Sequence, residues 1–376
     1  MIDPAAELKA VLDHYDLGVL NRTEKDQRGM VNTSYIIDLQ KDGVPARYFL
    51  RRYKAEIRRE EIVFEHALID HLTARGNCPV ARVHRARDGE SFIRLDVAGD
   101  AYYAIFDYLP GEDRYTWVNP RCTSRELTAA GALLAQFHSD VATLKAPGRR
   151  AEAKIVDLPS VIESAWSECL ARSTGNPFDR CAARNNRLVR DSLADAAGVL
   201  RRAGGDLPEV IIHSDYHPGN LRFLGHEISG LVDFDWAKVD LRSFDIALAV
   251  WYFCVSWQGS ADGHLRMGAA RTFLSAYQTR LMQAAELAPM SRAELAVLPH
   301  MISASNVYVL YWGLRDYLSK PVDPQEYLVY LRHNIGFARW FKDPSHLASL
   351  RAMLTALPRP NRASSVTGGK DPAGGS

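Results

Sequence analysis

The sequence predicts an α+β fold in two lobes: a small antiparallel-sheet lobe with one main helix, then a larger, mostly helical lobe. Three observations carry this. The first hundred or so of the 376 residues hold β-branched and aromatic runs around turn signals, with one helical segment among them. At Pro110-Gly111 the character changes, and helical periodicity then dominates to about residue 356. One β-rich stretch, residues 210 to 235, interrupts those helices. The expected division is a first lobe over 1–110, a second over 111–357, and a Gly/Ser/Pro-rich tail, 358–376, composed for disorder. A cleft between two lobes is the usual place for a small-molecule site.

Taken in order, residues 1 to about 17 read as a helix, with Leu8, Val11, Leu12 and Tyr15 at helical spacing. Two apolar runs, Ser34 to Leu39 and Arg47 to Tyr53, flank "KDG" and predict an antiparallel hairpin. "EEIVFEHALIDHLTARG" is the main helix of the first lobe, with Phe64, Leu68 and Leu72 on one face and Gly76 ending it. "SFIRLDV" and "AYYAIFDYL" follow as strands, the second stopped by "PG". "TSRELTAAGALLAQFHSDV" opens the helical lobe, with Thr123 or Ser124 as its N-cap. The basic, Pro- and Gly-containing residues 144 to 159 read as a linker loop.

Composition narrows the function classes. A net charge of +1 offers no bulk attraction to nucleic acid or anionic membrane, so neither is expected as a partner. Five scattered cysteines with no C-x-x-C pair argue against a disulfide framework or a zinc ribbon. The acids in "MIDPAAELKAVLDHYDLG" do not suit a secretory signal, and "DIALAVWYFCVSW" is too short to span a bilayer. A cytoplasmic protein is expected; its oligomeric state is not legible.

The chemistry concentrates in "IIHSDYHPGNLRFLGHEISGLVDFDWA", residues 211 to 237. A buried strand, "VIIH", leads to Asp215 in a loop, with Asn220 a few residues on. A hairpin, "NLRFLG" and "EISGLVDF" around "GHE", whose second strand ends at Asp233, can return that residue to the same mouth as Asn220. Phosphoryl transfer needs such a set. One carboxylate positions the attacking hydroxyl and takes its proton, while an amide oxygen and a second carboxylate hold magnesium on the nucleotide phosphates.

"HSDYHPGN…LVDFDWA" resembles the catalytic core of the aminoglycoside phosphotransferase, choline kinase and homoserine kinase group, small-molecule relatives of the protein kinases. The match lies at His213, Asp215, Asn220 and Asp233, and the resemblance spans most of residues 25 to 260. It implies a bilobal protein kinase-like fold, with ATP and Mg2+ as cofactors and a small-molecule acceptor as partner. Asp215 would be the catalytic base, Asn220 and Asp233 the metal ligands, and His213 an organiser of the loop. Asp245 matches the family's "DxA" aspartate, which braces the catalytic loop from the next helix.

In the first lobe, "YFLRRY" is similar to the strand that carries the nucleotide-phosphate lysine, with arginine in its place. Strand alternation favours Arg51 over Arg52, since Arg51 shares a side with Tyr53. Its helix partner would be Glu65 by the family's spacing, with Glu61 as the alternative. "RGMVNTSYII" resembles the phosphate-covering loop of the homoserine kinase-like branch, where Gly29, Asn32, Thr33 and Ser34 would offer amides and hydroxyls to the phosphates. "IFDYLPG" resembles the hinge, with the backbone of Asp107 and Leu109 at adenine.

The acceptor has no motif of its own. Asp215, Asp235 and Asp240, the last on the loop before the next helix, suggest an acidic acceptor side, hence an ammonium-bearing amino alcohol or hydroxy-amino acid, homoserine-like, with an aminoglycoside or a sugar as alternatives. Trp251, Tyr252 or Trp312 would close over its apolar part, and Asp235 reads equally as a brace or an acceptor contact. A separate reading of the His/Asp cluster is a metal-dependent hydrolase, since His213, Asp215, His217, Asp233 and Asp235 have the ligand types for Zn or Mn.

Overall fold

The computed structural model describes residues 4–26, 31–97, 99–203 and 207–359. The expected disordered tail lies outside them, apart from its first two residues. The fold is the bilobal, protein kinase-like α+β arrangement. Helix α1 (Pro4–Leu12) leads into β1 (Val19–Asp26), β2 (Thr33–Lys41) and β3 (Val44–Arg52); then come α2 (Arg59–Arg75), β4 (Ile93–Asp96) and β5 (Asp100–Asp107). Among the described residues these strands form one antiparallel sheet in the order β1-β2-β3-β5-β4.

Alternation along β3 divides the lobe into two faces. Leu50 packs with Leu8, Val11 and Leu12 of α1 and with Tyr15 just beyond it, and Arg52 on the same face pairs with Glu7 at 3.3 Å. Arg51 and Tyr53 point the other way, towards α2, whose Phe64, Leu68 and Leu72 are buried against Ala104 and Phe106. Helix α2 stops where expected: Gly76 takes φ 70°, and its amide closes on the Leu72 carbonyl.

Strand β1 was not expected. Its sequence, VLNRTEKD, is polar and largely exposed, as suits the edge of a sheet, and it carries no apolar alternation to announce it. The hairpin strands run longer than their apolar cores because Lys41 and Val44 still pair across the turn.

The helical lobe begins with α3 (Ser124–Val141), capped by Thr123, whose hydroxyl accepts from the Glu126 amide while Glu126 accepts from the Thr123 amide. It continues with α4 (Leu158–Ala171), α5 (Pro177–Arg184) and α6 (Asn186–Ala203). The β-rich stretch follows as β6 (Glu209–Ile212), β7 (Leu221–Leu224), β8 (Glu227–Leu231) and β9 (Lys238–Leu241). Then come α7 (Arg242–Cys254), α8 (Met267–Leu281), α9 (Arg292–Ser319), α10 (Pro324–Lys342) and α11 (Pro344–Thr355). Every residue of α7 is buried, so it serves as the axis of the lobe. Gly131 lets α3 lie directly on α8: a Cβ there would sit 2.2 Å from the Phe273 carbonyl oxygen. No helix among the described residues is long and apolar enough to cross a membrane.

Two expectations change in this lobe. The β-rich stretch extends past residue 235, because β9 returns to pair antiparallel with β6. Asp240 therefore lies in a strand, not in a loop. It is fully buried, accepts from the Ile155 and Leu241 amides and pairs with Lys238. The expected linker, 144 to 159, is also more than a linker: a 3-10 turn, Ile155–Asp157, closes it, and α4 has begun by Leu158.

Candidate active site

Strand β6 ends at Ile212, and the chain turns sharply: Ser214 takes φ 64°, outside the usual range for a residue with a side chain. Asp245, fully buried on α7, holds that turn. Its Oδ1 accepts from the Ser214 amide at 2.9 Å, and its Oδ2 accepts from the His213 amide and from His138 Nε2, each at 2.9 Å. His138 in turn accepts from the Tyr277 hydroxyl through Nδ1 (2.8 Å). Burial works against the Asp245 charge, yet the His138 hydrogen bond and the neighbouring histidines hold its carboxyl below the usual range. His213 is fully buried, its Nε2 meets the Val232 carbonyl at 3.2 Å, and burial pushes its pKa down.

This brace presents Asp215 at the cleft floor. Asn220 Nδ2 donates to the Asp215 carbonyl (2.9 Å) and to its Oδ2 (3.1 Å). His217 Nδ1 accepts from the Gly219 amide, which leaves Nε2 to face Asp215 Oδ2 at 3.4 Å. Asn220 and Asp233 meet at one mouth, because the Val232 amide bonds the Asn220 carbonyl at the open end of the β7–β8 hairpin. Asp233 does not end the strand. It lies beyond β8 at φ 65°, with Oδ1 buried and without a hydrogen-bond partner among the described residues. Burial first, and then the charges of Asp235, Asp215 and Glu65 against that of Arg51, hold its carboxyl well above the usual range.

Across the cleft, Arg51 Nη1 donates to Glu65 Oε1 (2.9 Å) and to Asp235 Oδ1 (2.6 Å). Glu65 also accepts from the Tyr53 hydroxyl at 3.2 Å. Glu61 is not part of this pair: it caps α2 by accepting from the Arg58 amide, and it faces Arg150 at 3.6 Å. Arg150 also donates to the Phe234 and Ala237 carbonyls, so the stretch read as a linker ties the turn after Asp233 to α2. Asp235 is committed as well, since Asn32 Nδ2 donates to its Oδ2.

The remaining expected contacts divide. Gly29 lies outside the described residues. Asn32 and Ser34 line the cleft, but the Asn32 side chain is spent on Asp235 and the Lys54 amide, and Thr33 is not among the lining residues. Asp107 and Leu109 line it too. The Asp107 amide is already given to the Arg82 carbonyl (2.9 Å), which leaves only its carbonyl for a base. Trp251 is buried away from the cavity with Nε1 on Asn306, whereas Tyr252 and Trp312 line it. Asp240 is not among the lining residues and Asp235 is paired, so two of the three carboxylates expected on the acceptor side are not available there. The cavity, about 880 Å³, runs from the hinge past Asp215 to an aromatic end with Trp117, Tyr308, Trp312 and Tyr330.

The sequence model of the phosphotransferase enzyme family matches residues 24–284. The chain belongs to this family. It is thus a phosphotransferase enzyme of the small-molecule kinase kind. It is 30% identical over 347 residues to a homoserine kinase of Parvibaculum lavamentivorans, covering 89% of this chain and 95% of that one. A homoserine kinase of Methylocella silvestris is 31% identical over 348 residues, with the same coverage. Among solved structures, a microcompartment-associated aminopropanol kinase superposes with a TM-score of 0.67 at 17% identity, over 93% of this chain and 99% of that one. An amicoumacin kinase superposes with a TM-score of 0.63 at 16% identity, over 89% and 93%. These likenesses show the fold. The metal-dependent hydrolase reading finds no geometry to match: His213 is buried with Nε2 on the Val232 carbonyl, and no three His, Cys, Asp or Glu side chains are grouped for a metal among the described residues.

Proposed function

We propose that this enzyme transfers the γ-phosphate of ATP to the hydroxyl of a small hydroxy-amino acid or amino alcohol, homoserine first among them. The observation that carries this is the convergence of Asp215, Asn220 and Asp233 on one wall of a cleft whose other wall holds the Arg51–Glu65 pair. Near-full-length similarity to homoserine kinases supports the acceptor class.

Asp215, partly open to the cleft and steadied by Asn220, orients the acceptor hydroxyl and receives its proton. Arg51 serves the nucleotide phosphates, exchanging its bond to Asp235 for a phosphate oxygen while Glu65 keeps its position. Asp233 and the Asn220 side chain are the groups that would hold Mg2+. The fit is good on the Asp233 side, where a buried oxygen without a hydrogen-bond partner among the described residues lies near other carboxylates, and the nearby Arg51 is shared between Glu65 and Asp235. Bound there, the metal would supply positive charge to the transferring phosphoryl group.

The test is acceptor-dependent ADP release over homoserine, hydroxylysine, choline, ethanolamine, kanamycin and simple hexoses. Turnover with an amino alcohol or hydroxy-amino acid, abolished by chelator and restored by magnesium, is the expected result. Turnover with a neutral sugar alone, or turnover that persists in excess chelator, would refute the reading.

A further inference from the structure

The geometry points to Arg315 as the group that reads a carboxylate on the acceptor, which makes the acceptor an amino acid with a side-chain hydroxyl and not a carboxylate-free amino alcohol. This rests on the kinase reading above and narrows it.

Among the described residues, four arginines line the cavity: Arg51, Arg114, Arg222 and Arg315. Three are spent on the protein. Arg51 bonds Glu65 and Asp235, Arg114 bonds Glu126 and Glu112, and Arg222 bonds Asp113 and the Gly111 carbonyl. Among the described residues, the Arg315 guanidinium has no such hydrogen bond; its nearest carboxylate is Asp316 Oδ1 at 3.5 Å. That contact is long for a charged pair, and Asp316 has a better partner in Lys320 at 3.0 Å.

The guanidinium is nevertheless held in place. It lies over the Trp312 ring, 3.7 Å from the centroid and one helical turn earlier on α9, with Trp236 at 5.9 Å. Stacking occupies a face of the planar group and leaves the N–H donors at its edge, the arrangement that suits a carboxylate bound through two parallel hydrogen bonds. The stack stands at the acceptor end of the cleft: Trp312 packs edge-on against Tyr308, centroids 5.9 Å apart, and Tyr308 lines the same cavity as Asp215. A hydroxyl held at Asp215 and a carboxylate held at Arg315 would give a small acceptor two fixed ends. Glu326, whose Oε1 accepts from the Tyr330 hydroxyl, lines this cavity as well and provides countercharge for an ammonium.

Matched pairs that differ by the carboxylate alone test this: L-homoserine against 3-aminopropan-1-ol, and L-serine against ethanolamine. For a half-open site the carboxylate member should be preferred in kcat/KM by about 10- to 100-fold, the range of one charged hydrogen-bonding interaction. Arg315→Met should collapse that preference towards unity, chiefly through the acceptor KM. Arg315→Lys, which keeps the charge without the planar fork, should retain part of it; thermal melting of both variants checks that they are folded. Equal turnover of both members by the wild-type enzyme would overturn the inference and leave the kinase reading standing. So would an equal loss on both members in Arg315→Met, which would mark a structural role. A rise in the ATP KM with the pair preference intact would assign Arg315 to the nucleotide phosphates instead, and also overturn it. If no member of either pair, nor any other amino alcohol, releases ADP above the acceptor-free level, the proposed acceptor class fails, and this inference with it.

Discussion

Asp245→Asn is the most informative single change, because it keeps the shape of the brace and removes its charge. Asp245 accepts three hydrogen bonds with no solvent to replace them. An asparagine keeps one oxygen, so its NH2 must face at least one donor among the Ser214 amide, the His213 amide and His138 Nε2. Losing a partner of a buried charged group in this way costs about 3–5 kcal/mol. With an unfolding entropy of ~2.1 cal/mol/K per residue over roughly 350 residues, that is a fall in Tm of about 4–7 °C. The activity should suffer separately. Ser214 holds φ 64° directly before Asp215, a strained conformation worth ~1–3 kcal/mol that Asp245 holds through the Ser214 amide. Released, the turn would shift Asp215, and a displacement on the order of 1 Å is enough for a loss of about 10²-fold. The expected result is a lower Tm and a kcat reduced by about 10- to 100-fold, with the ATP KM little changed. Melting curves and acceptor-dependent ADP release measure both. A Tm within about 1 °C and a kcat within about twofold of wild type, each well below the scale argued here, would refute the bracing role.

Asp215→Asn should lower turnover by roughly 10²–10⁴-fold while nucleotide still binds, as followed by fluorescence titration; turnover within a few-fold would remove Asp215 as the base. Glu126 gives a pH prediction: burial opposes its charge, but the Thr123 amide, the Tyr115 and Thr123 hydroxyls and Arg114 together pull its carboxyl down to about 2. A depressed carboxyl stabilises the fold above its unfolded pKa and ceases to do so as pH falls towards the folded one. Glu126→Gln should therefore cost about 1–2 kcal/mol at pH 7, allowing for screening beside the part-exposed Arg114, and the gap from wild type should close between about pH 4.5 and 2 in urea titrations. Gly131→Ala should destabilise by about 1–3 kcal/mol or more, since the new methyl meets a backbone oxygen that cannot rotate away; an unchanged denaturation midpoint would mean α3 and α8 are not so closely packed.

How far the site was legible depended on how local its parts are. Asp215, Asn220 and Asp233 fall within 211 to 237, where a strand, a loop and a tight hairpin bring them together with little help from the rest of the chain. Strand alternation, a short-range periodicity, favoured Arg51 over Arg52, whereas Glu65 over Glu61 rested on the family's spacing, since residues four apart share a helix face. The residues that were missed act over distance. Arg150 sits in a stretch with loop composition, and its bonds run to residues 84 and 87 positions away. Asp240 read as a loop residue because β9 is four residues long and its partner strand lies some thirty positions earlier. Arg315 had no local signal, since an arginine on a long helix is ordinarily a solvated one.

By itself the sequence determined the fold class, the family resemblance and the grouping of Asp215, Asn220 and Asp233, because these are written in periodicity, turn chemistry and close spacing. Tertiary structure alone decided the allocation of charge. Beyond the expected Glu65, Arg51 also bonds Asp235, Asn32 is tied to Asp235, Asp240 is buried against Lys238, and Arg315 is left stacked on Trp312. A charged side chain reaches several ångströms and pairs with whatever packing brings within reach. Its partner is therefore a property of the folded chain, and so is the question of which charges remain for a substrate.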